Sequence, residues 1–185
     1  MQINEAEING KIASVEENVS ISLNVLNEIV SRHSAQLDSI MNNIYRDIVS
    51  IKEPPIADIE KYFLELTNAL YYFSTNTEYL SLSDGIAKSM YKEAYNNAYL
   101  SVNDNTDKSS KKTVAEVTAI AEAQTLYDQT VSDIYNKAYK ILKAKVETAQ
   151  TMVSTLSKVL SKRMSEQQLT ATLPRVYEEQ ENGFT

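Results

Sequence analysis

The chain contains no cysteine and no tryptophan, and its 185 residues include three glycines, three prolines and one histidine. Without cysteine there can be no disulfide, thiol nucleophile or Cys-ligated zinc. The missing thiols also fit a reducing, cytoplasmic setting. So few glycines and prolines exclude a turn-rich β fold. No apolar run approaches the roughly 20 residues that span a bilayer. The first ten residues are polar and acidic and lack the basic-then-apolar order of a secretion signal. The expectation is a soluble, cytoplasmic chain with no membrane partner. A glycine-rich phosphate loop, a Ser/His/Asp set and a metal-ligand cluster are all missing as well. No residue stands out as nucleophile, base or metal ligand, so neither an enzyme nor a cofactor is expected.

What is present is helical spacing. Apolar residues make up 43% of the chain and recur at intervals of three and four wherever a period can be read, which predicts an all-α fold. From Ile12 to Ile51 the intervals build a seam: Ile12, Val19, Leu26, His33 and Ile40 alternate with Leu23, Val30, Leu37, Ile44 and Ile51. A seam sustained over several heptads predicts a coiled coil that joins copies of the chain, held by Leu23, Leu26, Val30, His33, Leu37, Ile40 and Ile44. His33 sits on the seam with no second ligand at matching spacing, so it is expected to set register and not to do chemistry. Protonating it would place like charges between copies and loosen the assembly below about pH 6.

Glu53-Pro54-Pro55 ends this helix, because proline lacks an amide donor and biases its predecessor away from helix. The boundary divides the chain into a coiled-coil stem at 1–53, a helical domain at 54–170 and an acidic, mobile tail at 171–185. Within the domain, a helix from Ile56 to about Ser83 should bury Ile59, Phe63, Leu66, Leu70 and Phe73. A break at Ser83-Asp84-Gly85 should start a second helix, with Ile86, Met90, Ala94 and Ala98 on its buried face. After the polar loop 103–110, a very long helix from Lys111 to about Leu169 completes a bundle or hairpin.

Charge is segregated. Residues 1–60 carry four basic and ten acidic side chains, whereas 108–169 carry ten basic and six acidic ones within a chain of net charge −7. On the last helix Lys137, Lys140, Lys158 and Lys162 share one edge beside the apolar face of Ile134, Ala138, Ile141, Ala149, Leu156 and Leu160. With Lys111 and Lys112 they form a basic edge that several copies could present to a strand of nucleic acid. Tyr91, Tyr95 and Tyr99 repeat at four-residue intervals. Such rings either stack on bases or pack half-buried between helices.

The order of features in 56–169 resembles the UvsY-type recombination mediators of tailed bacteriophages. The resemblance is carried by Leu70-Tyr71-Tyr72-Phe73, by a helix with Lys88, Lys92, Tyr95 and Tyr99, by the polar loop, and by the run from Leu156 to Met164 at the end of the long helix. It implies an all-helical homo-oligomer that binds single-stranded DNA, through Lys88, Lys92 and the basic edge, and helps load a recombinase in the host cytoplasm. The acidic stem is extra to the family pattern. The alternative expectation is a non-enzymatic phage assembly or interaction protein built on coiled-coil oligomerisation.

Overall fold

The computed structural model describes residues 5–104 and 112–181, with side chains placed for 6–103 and 112–170. Four α-helices follow in order: α1, Glu5–Ile44; α2, Ile56–Asp104; α3, Val114–Gln124; and α4, Leu126–Glu181. No strand occurs among the described residues, as the shortage of turn residues requires. The chain divides into two compact units. Among the described residues, unit 1 comprises 5–33, 75–104 and 112–143, and unit 2 comprises 34–74 and 144–181.

In unit 2 the apolar residues of three helical segments meet. Leu37, Ile40 and Ile44 of α1 pack with Ile59, Leu66, Ala69 and Phe73 of α2 and with Ala149 and Leu156 of α4. The expected α2 face is present: Ile59, Leu66 and Phe73 are buried, while Phe63 and Leu70 are partly buried at its margin. Alanines at Ala69 and Ala149 let backbones approach closely while leucine and isoleucine fill the space between them.

The corner between α1 and α2 is built from the residues that the diproline dictates. α1 widens into a single π-helical turn, Tyr45–Val49, closed by the Ser50 amide and hydroxyl, both of which donate to the Tyr45 carbonyl at 2.9 Å. Pro54 is buried, and the Pro55 carbonyl accepts the first amides of α2, from Asp58 and Ile59, at 3.2 Å. Across this corner the Asp47 carboxylate accepts from Arg46 Nε at 2.7 Å and from the Tyr62 hydroxyl. Arg46 first, and the Tyr62 hydroxyl second, hold the Asp47 carboxyl down at about 2.

That depression has a direction. A carboxyl whose folded value lies below its ordinary 3.8 contributes stability that is complete above about pH 4 and is lost as pH falls towards 2. The thermal midpoint of the unmodified chain should therefore fall more steeply between pH 4 and pH 2 than that of Asp47→Asn. Parallel curves would show that the corner contributes no acid sensitivity.

Unit 1 has a smaller core of Leu26, Val30, Leu80, Ala138 and Leu142, with Ile29, Ile134, Tyr135 and Tyr139 against it. α2 runs through Ser83-Asp84-Gly85 without the expected break. Asp84 is buried and serves the helix interior instead of capping a new helix: it accepts from Lys88 Nζ at 2.6 Å and from Asn136 Nδ2 at 3.2 Å. Gly85 keeps an ordinary helical backbone, so it only weakens the helix by about 1 kcal/mol relative to alanine. The buried side of α2 here is Leu80, Asp84 and Ala87. Ile86 and Met90, expected inside, are each 61% exposed. The contact falls on the small Ala87 beside Ile86, because close helix approach rewards small residues over large ones.

The long last helix is in two parts. Thr113 opens α3 with a reciprocal cap, its hydroxyl accepting from the Glu116 amide while Glu116 Oε2 accepts from the Thr113 amide at 2.7 Å. At Thr125 the helix is interrupted and α4 starts afresh, with the Thr125 hydroxyl turned back onto the Ala121 carbonyl at 2.8 Å. α4 continues past Leu169 through Pro174 to Glu181. Of the stretch 103–110 expected as a polar loop, Asn103 and Asp104 end α2, while residues 105–110, Lys111 and the side chains of the acidic tail fall outside the described residues.

Candidate interaction surfaces

Of the seven seam residues, Leu26, Val30, Leu37, Ile40 and Ile44 are covered by other helices of the same chain. This corrects the expectation that they join copies. A heptad records that one helix face is apolar, and it reads the same whether the partner helix lies in another copy or further along the chain. His33 is likewise engaged internally: its ring lies 5.2 Å from that of Tyr79, tilted by 31°, and its carbonyl accepts from Asn76 Nδ2 at 3.3 Å. Burial, and secondarily Arg32 beside it, push the imidazole below its ordinary range.

Upstream of Leu26 the cover ends and the apolar face continues. Ile8, Ile12, Val15, Val19 and Leu23 are between 44% and 61% exposed. At 100° per residue they fall within about 80° of one another, on the same side of α1 as Leu26 and Val30. Five aliphatic side chains at such exposure leave on the order of 400 Å² of apolar surface, the size at which a patch marks an interaction site. Part of the stripe borders a cleft of about 320 Å³ in which Val15, Val19 and Leu23 face Ile134 and Lys137 of α4. A second cleft of about 330 Å³ lies between Ile86, Met90 and Tyr91 of α2 and Asp128, Val131 and Tyr135 of α4. The exposed Ile86 and Met90 were invisible as surface residues in the sequence, since only the choice of Ala87 as the contact reveals them.

The lysines separate by partner. Lys88 is held by Asp84, and Lys145 reaches Asp38 Oδ1 at 2.7 Å and the buried Ser34 hydroxyl at 3.1 Å. Lys162 lies 3.8 Å from Glu166 and stays 77% exposed. Lys92, Lys112, Lys137, Lys140 and Lys158 are exposed and form no ion pair among the described residues. Lys92, Lys112, Lys137 and Lys140 belong to unit 1, whereas Lys158 and Lys162 belong to unit 2. The lysines expected on the basic edge of α4 thus belong to both units, Lys137 and Lys140 to unit 1 and Lys158 and Lys162 to unit 2.

The rings of the tyrosine stripe lie against one another along α2. Tyr91, Tyr95 and Tyr99 are half-buried, with successive ring centroids 6.4 and 6.3 Å apart. Tyr71 and Tyr72 of unit 2 are the more exposed rings, meeting edge to face at 5.4 Å. Among the described residues no group of three His, Asp or Glu side chains is placed to hold a metal, and no helix is long and apolar enough to cross a membrane. No protein-family model, curated protein or solved structure matches the chain.

Proposed function

We propose that this is a non-enzymatic assembly protein whose copies associate through the N-terminal half of α1. The observation that carries the reading is the uncovered stripe of Ile8, Ile12, Val15, Val19 and Leu23, which continues a face that the chain itself covers from Leu26 onward. Burying such a stripe against another helix stabilises association by the ordinary hydrophobic effect. The double substitution Val15→Glu/Val19→Glu should leave the circular dichroism unchanged and reduce the scattering mass to that of one chain. A unit-mass species for the unmodified chain at about 100 µM, where a pair with a Kd near 10 µM would be mostly associated, would overturn the reading.

A second reading, the DNA-binding recombination mediator of the resemblance, is supported by the exposed lysines that lack carboxylate partners in unit 1. Single-stranded DNA and a recombinase are the partners it would take. In that reading the oligomer multiplies a sparse set of charges.

A further inference from the structure

The stripe carries more than apolar surface, because the charged residues beside it are spaced for one arrangement of a second copy. From Ile8 to Val19 the intervals are four, three and four, which places Ile12 and Val19 at the first core position of a heptad and Ile8 and Val15 at the other. In that register Lys11 precedes the seam and Glu16 follows it, five residues later. In a parallel pair of helices the residue before the seam on one chain meets the residue five positions on in its partner, so such pairs set orientation and partner choice.

We infer that the partner on the α1 stripe is a second copy of this chain, aligned parallel and in register, with Lys11 of each copy beside Glu16 of the other. The inference rests on the assembly reading above and specifies its geometry. Two observations support the charge placement. Lys11 is 78% exposed, and its only ion pair among the described residues is a loose one to Glu7 at 3.4 Å, a contact it can keep while reaching Glu16 of a partner. Glu16 is exposed and forms no ion pair among the described residues.

The parallel seam also has a natural end. After Val15 and Val19 the next apolar step is again four residues, to Leu23, and Ser22 occupies the core position that a strict heptad would fill. Two successive steps of four are a stutter, which unwinds a coiled coil locally. Three residues further on, Leu26 enters the core of unit 1. The segment free to pair with a copy and the segment engaged within the chain therefore meet at the point where the heptad lapses. An antiparallel pair would bring residues before the seam together with one another, and Lys11 would lose its acidic counterpart.

Charge reversal tests the arrangement. Lys11→Glu and Glu16→Lys should each weaken self-association roughly 5- to 10-fold, because two attractive contacts per pair become two repulsive ones. Mixed in equal amounts, the two variants should form heteromers with the affinity of the unmodified chain. All of these sites are exposed, and unchanged circular dichroism confirms that folding is unaffected. Since the chain has no cysteine, Ile12→Cys and Val19→Cys report geometry cleanly. Both should cross-link to themselves on oxidation, whereas an antiparallel pair brings at most one position opposite itself. An associated species in which mixing restores nothing, or only one of the two cysteines cross-links, overturns the parallel register and leaves the assembly reading standing. A unit-mass species for the unmodified chain overturns both.

Discussion

Replacing Leu37 by alanine is expected to lower the free energy of unfolding by about 2–5 kcal/mol, among the largest losses that one truncation in this chain should produce. Leu37 is 1% exposed and sits among Ile40, Ile44, Ile59, Leu66 and Phe73, whose side chains cannot all move to fill the space left behind. The expected loss combines the transfer of the deleted atoms with the cavity that remains. The same experiment distinguishes a face covered within the chain from one covered by a second copy. In the Val15→Glu/Val19→Glu background, the denaturant midpoint of Leu37→Ala should shift by the same amount at any protein concentration. A shift that grows on dilution would mean that Leu37 is buried by another copy, since mass action couples association to stability. Leu23→Ala, on the exposed stripe, should change the midpoint little.

The second large effect belongs to the DNA-binding reading and is a dependence on salt. If Lys92, Lys112, Lys137 and Lys140 each neutralise one phosphate of a single strand, the slope of log affinity against log salt is roughly −2.8, or about a 50-fold loss between 50 and 200 mM. Two copies acting on one strand double the slope and turn that loss into one on the order of 2,000-fold. Fluorescence anisotropy with a labelled oligonucleotide reads both values. Charge reversal at Lys137 should flatten the slope by about 0.7 in the first case and 1.4 in the second, alike for every base composition. Absence of binding at 50 mM by the associated protein removes the recombination reading.

The parts of the fold legible in the sequence were those governed by local chemistry. Pro54 and Pro55 stop α1 because neither can donate to a helix, and α2 begins immediately after them with its buried Ile59, Leu66 and Phe73 at the expected spacing. Non-local pairing is where reading the sequence fell short. The seam residues were identified as one apolar face, but nothing in α1 states that α2 and α4 of the same chain would cover it. Asp84 followed by Gly85 has the composition of a helix start, yet the carboxylate is taken up by Lys88 and by Asn136, which lies 52 residues away. Separation in sequence also hides the fate of Lys145, which the structure ties to Asp38 of α1, 107 residues away. A charged side chain is a surface residue only if no partner comes to it, and that partner is set by the fold.

The interruption at Thr125 has a consequence for how unit 1 moves. It sets off α3 as an eleven-residue helix joined to α4 through Thr125, whose amide donates to the Ala121 carbonyl and whose carbonyl accepts from the Gln129 amide, and a helix of that length in water is marginal without tertiary support. Its buried side chains are Val117 and Ala121, far less apolar surface than α2 or α4 contributes to the same unit. Opening α3 therefore breaks few contacts and need not disturb the Leu26, Leu80 and Leu142 core. In the language of native-state exchange, the amides of α3 should open at a lower free energy than those around the Leu26, Leu80 and Leu142 core, from a helix capped at its start by Thr113 and tied to α4 at its end through Thr125.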